Sequence, residues 1–476
     1  MMNLRFKLQT VFLFFAICAS AISASAQTLG DKIDEILKDP SLKGGTQAVM
    51  IRSLKTNQTL YEHNAHSLML PASNFKLLVS AASLETLGPD FTFKTKVYVS
   101  GKVENGVLKG NLIIRGGGNP VLLTPDLTYL AKQVRSAGIS QIDGNVIADE
   151  SFFDNQRLNW GWNWADLGYY YAAETSALTL NRNTVDVYVY PAKTVGAAAI
   201  VKIVPYTDYL TINNSAKTGK PDSANAINVN RALGQNIIRV NGTIPQNAKI
   251  TRRTAPVTVT EPGLYTACVF ASELSQQKIS LTGSVKYAST PENAKLIATH
   301  TSPPLSQILA MLNKPSDNLI AETLLKTIGA VVKGNGSTNA GIEVETEFFK
   351  KIGLDTSELS ITDGSGLSRF NYISASNLVA LLSYMHSTEQ SNIFIDSLPV
   401  AGVNGSLSAR MKKTSAQGNV KAKTGYIGRV SSLSGYVNTK SNEKLAFSII
   451  MNHHLCKKSD VTKLQDKICV LLADLP

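Results

Sequence analysis

Three short polar motifs stand in a fixed order along the chain: Ser73-Asn74-Phe75-Lys76, Ser316-Asp317-Asn318 and Lys423-Thr424-Gly425. Each alone is common in chains of this size; the order S-x-x-K, S-D-N, K-T-G carries the information. A serine hydroxyl is a weak nucleophile and needs a base beside it. Lys76 follows Ser73 by three residues, so on a helix the two side chains share a face. An amine with an ordinary pKa near ~10.4 serves as a base at neutral pH only if that value falls. Burial and a neighbouring cation both lower it, and Lys423 is the cation available. The pattern thus names a nucleophile (Ser73), a base (Lys76) and an anion-binding edge (Lys423, Thr424).

The elements that must position these residues follow from periodicity. The run Leu77 to Leu87 continues the first motif as a helix, and Gly88-Pro89 ends it. Upstream, Gln47–Ser53 and Gln58–Glu62 read as strands joined by a polar turn. Past Pro89 the texture becomes β-rich, with strands at 91–100, 107–114 and 142–148 and further alternation between 184 and 250. Gly116-Gly117-Gly118 lacks the G-x-G-x-x-G spacing of a dinucleotide loop and reads as a tight turn. Helical periodicity returns at 264–276 and after Ser316-Asp317-Asn318, while Lys444–Met451 reads as a buried strand and 460–475 as an amphipathic helix. There are 239 residues between Lys76 and Ser316 and 104 between Asn318 and Lys423. The first gap holds one or two whole domains, yet the motifs must meet in space. The motif-bearing domain is therefore expected to be discontinuous, with the β-rich segment inserted after the nucleophile helix.

Composition sets the compartment and the partners. Arg5 and Lys7, the apolar run Val11–Ile17 and Ala24-Ser25-Ala26 read as a signal peptide over residues 1–26, too short in its apolar run to span a bilayer. The remaining 450 residues suffice for two to four domains. The formal charge of +12 falls by two, to +10, on loss of the leader. No basic run or aromatic-basic stripe suggests nucleic acid. A diffuse positive balance suits an anionic wall polymer or a membrane surface, and equally plain solubility. In an exported chain Cys456 and Cys469 are near enough in sequence to pair, leaving Cys268 single; pairing and free thiols both stay open. The six histidines form no H-E-x-x-H and there is no C-x-x-C, so no metal site and no cofactor is expected.

The chain resembles the class C, low-molecular-mass penicillin-binding proteins, the D-alanyl-D-alanine carboxypeptidase/endopeptidases. Pro71-Ala72-Ser73-Asn74-Phe75-Lys76, Asn313-Lys314-Pro315-Ser316-Asp317-Asn318, Asp363-Gly364-Ser365-Gly366-Leu367-Ser368-Arg369, Leu398-Pro399-Val400-Ala401-Gly402-Val403 and Ala422-Lys423-Thr424-Gly425 carry the likeness, over essentially all of the mature chain. The resemblance implies an α/β (α+β) transpeptidase/β-lactamase-like domain, an antiparallel sheet flanked by helices, at 27–92 and 290–476. It implies an inserted β-rich domain at 93–183 and 251–289, with a small β domain nested at 184–250.

The resemblance also implies roles. Ser73 attacks the carbonyl of a D-alanyl peptide bond in peptidoglycan stem peptides, Lys76 takes its proton, and Ser316 relays one to the leaving amine. Asn318 holds substrate backbone or Lys76. Lys423 and Thr424 bind a terminal carboxylate on an edge strand to which substrate adds, and Gly425 leaves room for close backbone approach. Backbone N–H groups of Ser73 and Tyr426 form the oxyanion hole. Asp166, in the insertion, meets the free amine of the stem. β-Lactams acylate Ser73 as inhibitors. Asp317 is expected to point away as a helix cap, and Asp363 and Arg369 to be structural. Where the family often has threonine after K-T-G this chain has Tyr426, which is expected to narrow or reshape the cleft. A β-lactamase and a non-catalytic wall-binding or sensor protein are the competing readings. The first lacks its E-x-x-L-N glutamate here, and the second usually loses motif residues that are all present.

Overall fold

The strand Lys444–Asn452 is buried along almost its whole length, and its alternation decides which side chains face which core. Ala446 and Ile450 enter one cluster with Met50, Phe75 and Leu78, while Leu445, Phe447, Ile449 and Met451 enter another with Ile33, Leu464 and Ile468. A strand buried on both faces needs helices on both. Leu29–Leu37 and Lys458–Ala473 cover one face; Lys76–Leu87, Asn318–Lys333 and Ala375–Ser387 cover the other. The sheet is antiparallel throughout and runs Thr59–His63, Thr46–Ser53, Lys444–Asn452, Val430–Asn438, Lys421–Ile427 across its width. The K-T-G motif thus lies on its edge strand. These features come from a computed structural model that describes residues 27–248, 252–253 and 256–476. The leader expected at 1–26 lies outside the described residues. Among the described residues, no helix is long and apolar enough to cross a membrane.

A second hydrophobic core draws only on residues between Val97 and Ala298. Its main sheet pairs Lys94–Glu104 with Val107–Arg115 and with Lys295–Thr301. Pairing therefore runs past the expected boundary at 289/290: Lys295–Thr301, assigned to the motif-bearing part, is a strand of the insertion. In the same way Arg252–Arg253 and Val257–Thr258, expected in the outer inserted part, pair with Thr184–Tyr190 of the nested one. The reason is the same in each case: a returning chain closes the open edge of the sheet it left.

One further expectation changes, and one open alternative is decided. Gly116-Gly117-Gly118 is not a turn but a tightly packed connection. A Cβ at 116 would stand 2.1 Å from the Ala177 carbonyl oxygen, and one at 117 would stand 2.5 Å from that of Lys94. Cys268, Cys456 and Cys469 are all free thiols. Cys469 is buried in the last helix, whereas Cys456 faces His454 at 3.8 Å.

Candidate active site

The nucleophile region is a one-turn 3-10 segment, Ala72–Phe75, running into the helix Lys76–Leu87. Ala72 has φ of 47° and Ser316 φ of 66°, a left-handed conformation that non-glycine residues adopt at a cost. Surrounding bonds hold the first of them. Ser432 Oγ donates to the Pro71 carbonyl at 2.5 Å, and Asn74 Nδ2 donates to Ser434 Oγ at 2.7 Å. Gly425 is required here: a Cβ would meet Ser432 Oγ at 2.1 Å, Pro71 O at 2.6 Å and Ser73 N at 3.0 Å. The backbone approaching Gly425 is therefore the protein's own nucleophile turn, not only an incoming substrate.

Lys76 is fully buried and its Nζ makes three contacts: Ser73 Oγ at 2.9 Å, Asn318 Oδ1 at 2.6 Å and the Ser365 carbonyl at 2.6 Å. The last two partners can only accept. A neutral amine has two N–H groups and one lone pair, so with both donors taken the lone pair is left facing Ser73. Burial lowers the Lys76 pKa to about 8, against the charges of Asp363, Glu322 and Asp317, which raise it. Burial, more than the neighbouring cation anticipated from sequence, is the main cause. Burial first and Lys76 second hold Lys423 well below the ordinary lysine value.

Lys423 is also fully buried; its Nζ donates to Ser316 Oγ at 2.8 Å and to the Thr424 carbonyl at 2.9 Å. Thr424 Oγ1 lies 2.6 Å from Ser406 Oγ. Ala422 N–H donates away from the sheet, to Pro399 O. The two-residue period of a strand turns the Thr424 and Tyr426 N–H groups the same way. The Tyr426 ring has a partner outside the three motifs. It lies under Lys458 of the last helix, with Nζ 4.3 Å from the ring centroid, on the sheet face that carries Ala422.

Asp317 caps the helix Asn318–Lys333 by accepting from Ile320 N at 3.1 Å, and it pairs with Arg182 Nε of the insertion at 2.6 Å. Asp363 accepts from Gly366 N, Ser368 N and Asn371 Nδ2, each at 2.7 Å, and from Trp162 Nε1 at 2.9 Å. Arg369 donates to the Gly428 carbonyl at 2.7 Å. Asp166 reaches the site through one intermediary: Tyr171 OH donates to Asp166 Oδ1 at 3.0 Å, and Asn318 Nδ2 donates to the Tyr171 carbonyl at 2.7 Å. A cavity of about 1050 Å³ opens beside Ser316 and Asn318, between the two cores, with Tyr170, Tyr171 and Arg182 in its walls.

Sequence reading missed Ser365, Tyr171, Ser406 and Glu322. Ser365 and Tyr171 reach the lysine and Asn318 through backbone carbonyls, which leave no mark on residue type. Ser406 is one serine among many. Glu322, 4% exposed on a helix face of apolar residues, was the legible one, since a buried acid is costly unless bonded.

A serine on a short helical turn, two buried lysines and an edge strand beside them define a penicillin-recognising serine enzyme of the α+β transpeptidase type. A family model described as D-Ala-D-Ala carboxypeptidase 3 (S13) matches residues 29–475, and the chain belongs to that family. It is 37% identical over 470 residues to a D-alanyl-D-alanine carboxypeptidase of Actinomadura sp. (strain R39), covering 96% of this chain and 86% of that one. It is 28% identical to a D-alanyl-D-alanine carboxypeptidase DacB of Haemophilus influenzae, over 86% of each. The crystal structure of penicillin binding protein 4 (dacB) from Haemophilus influenzae shares the fold. Its TM-score is 0.83 at 24% identity, over 93% of this chain and 99% of that one.

Proposed function

We propose that this chain is a serine D,D-peptidase that hydrolyses acyl-D-alanyl-D-alanine bonds of peptidoglycan through an ester on Ser73, as carboxypeptidase on stem ends and endopeptidase on D-alanyl cross-links. The observation that carries it is the buried Lys76 Nζ, 2.9 Å from Ser73 Oγ, beside two groups that can only accept, Asn318 Oδ1 and the Ser365 carbonyl. Neutral Lys76 takes the hydroxyl proton as Oγ bonds to the carbonyl carbon, and the carbonyl π pair moves onto oxygen. That oxygen sits between the N–H groups of Ser73 and Tyr426. When the pair returns, the C–N bond breaks. Ser316 passes its proton to the leaving nitrogen and takes up in its place the proton that Lys76 received from Ser73, which leaves Lys76 neutral for the next step, while Lys423, 2.8 Å away, orients the Ser316 hydroxyl. Water then repeats the sequence on the ester and frees Ser73. The leaving residue's carboxylate meets Lys423 and Thr424, and its charge opposes both causes that lower the Lys423 pKa.

Asp166, with Tyr171, is assigned to the free amine of the stem. The catalytic part is assigned to the five-stranded sheet and its helices. Export and association with wall polymer fit the leader and the positive charge. The Haemophilus influenzae protein forms a complex with a β-lactam, and acylation by β-lactams is assigned to Ser73 here. The family match favours neither a β-lactamase nor a non-catalytic wall-binding protein.

Intact mass after mixing with benzylpenicillin, beside Ser73→Ala, tests the reading. One stable penicilloyl adduct, absent from the variant, is expected. Rapid turnover without an adduct would move the assignment to a β-lactamase, and neither adduct nor turnover to a binding role.

A further inference from the structure

Two acceptors aim Lys76, and one helix governs both. Asn318 opens the helix Asn318–Lys333 and supplies the first acceptor directly. Glu322 stands one turn later, on the same side. Its Oε1 accepts from Ser365 N at 2.8 Å and its Oε2 from Gly364 N at 3.3 Å. The next peptide, carrying the Ser365 carbonyl and the Gly366 N–H, is held at its N–H by Asp363. Residue 365 is therefore pinned on both sides, and its carbonyl stays on Lys76. Neighbouring positions on this helix, Ile320, Ala321, Leu324 and Leu325, are core. An apolar side chain would fill the site of Glu322 without the cost of burying an acid.

We propose that Glu322 is a positioning residue for acylation: it fixes the Gly364–Ser365 backbone so that the Ser365 carbonyl occupies one N–H of Lys76 and the lone pair is left on Ser73. The inference rests on the roles assigned above to Ser73 and Lys76.

The charges around the pair set how its removal reads out. Glu322 is faced by Asp363 from the loop, Glu345 from the helix Thr338–Lys351 and Lys76 from the nucleophile helix. Lys76 is faced by Asp363, Glu322, Asp317 and Lys423. Glu345 has both carboxyl oxygens buried without a hydrogen-bond partner, and burial first, then Glu322 and Asp363, push it well above the ordinary carboxylate value. Burial first and Asp363 second raise the Glu322 carboxyl itself to about 8, so it favours the protonated lysine only where it is ionised, and its loss removes that support. The pH midpoint for acylation should then move below about 8 while the limiting rate falls.

The test is the rate of penicilloyl-enzyme formation from benzylpenicillin, by rapid quench and intact mass across pH 6 to 10, for the full chain and its Glu322→Gln and Glu322→Asp variants. Near-UV circular dichroism identifies folded protein. Displacement of a catalytic group by about 1 Å costs up to about 10²-fold, so a roughly 10- to 100-fold loss of limiting rate is expected in both. The midpoint should move down in Glu322→Gln and less in Glu322→Asp, which keeps the charge but not the reach. Should Glu322→Gln fail to fold, Glu322→Asp carries the test. A folded variant that acylates at the parent limiting rate with an unmoved midpoint overturns the inference, even if it melts earlier. Failure of the parent chain itself to form an ester on Ser73 overturns the underlying reading instead.

Discussion

The two walls of the cleft hold their polar groups differently. On the sheet side, Lys76 and Lys423 are fully buried, and their Nζ atoms are held both by chain neighbours, Ser73 and Thr424, and by residues far away in sequence, Asn318, Ser365 and Ser316. On the insertion side, Asp166 sits in a one-turn 3-10 segment among rings that face solvent: Trp164 is 75% exposed, and Tyr169 and Tyr170 more than half. A buried amine cannot find water when its partners are lost, so its position and pKa are set by the fold. An exposed aromatic strip can be resolvated at little cost. The first wall has the rigidity that bond-making needs, and the second the tolerance that recognition allows.

The sharpest way to break this comparison is at Lys76. Lys76→Ala should lower the penicillin acylation rate by about 10²- to 10⁴-fold, the range for loss of a general base. Quenched-flow mass spectrometry reads it. A loss under tenfold would mean that the buried wall does not do the proton transfer. In the parent chain the same wall predicts a pH profile. Protonated Lys76 has no lone pair, so acylation should rise about tenfold per pH unit below the lysine pKa of about 8 and level off above it. A rate flat between pH 6 and 9 would put the base elsewhere.

The second wall should respond to a change of substrate, not of chemistry. Asp166→Ala should cost about tenfold in kcat/KM on a D-alanyl-D-alanine peptide with a free side-chain amine, the size of one charge-assisted contact. It should cost nothing on the N-acetylated peptide and leave penicillin acylation within about twofold. Equal losses on all three would show that the Asp166–Tyr171–Asn318 chain positions Lys76, and the two walls would then act as one.

The same contrast explains what could be read from the chain. The core sheet, its flanking helices and the three motifs were legible because period and residue type were both constrained there. Lys444–Asn452 alternates between two cores, and a buried lysine three residues from a serine has few other uses. The insertion's connections were not legible. Nothing local in Lys295–Thr301 tells that it pairs with Lys94–Val99, two hundred residues earlier, since pairing partners are set by which edge is open. The carbonyls of Ser365 and Tyr171 were invisible because a backbone group has no letter. The two tyrosines make the point in side chains: Tyr171, one of a run of three, links Asp166 to Asn318, whereas Tyr426, flagged for standing beside K-T-G, packs its ring on Lys458.

Tyr426 gives the smallest expected effect and the finest test. Only its N–H is assigned to the chemistry, and any residue supplies that. Its ring packs against Lys458 at 4.3 Å, an exposed cation–π contact of the kind that contributes about 0.5–1 kcal/mol. Tyr426→Thr should therefore lower the melting temperature by a few degrees at most, and keep penicillin acylation and peptide hydrolysis within about threefold. Lys458→Gln should reproduce the stability loss, and the double variant should lose no more than either alone, as contacting partners do. A large gain in turnover of bulky cross-linked substrate by Tyr426→Thr would mean that the ring swings into the cleft when substrate binds. The edge strand would then belong to the tolerant wall as well as to the rigid one.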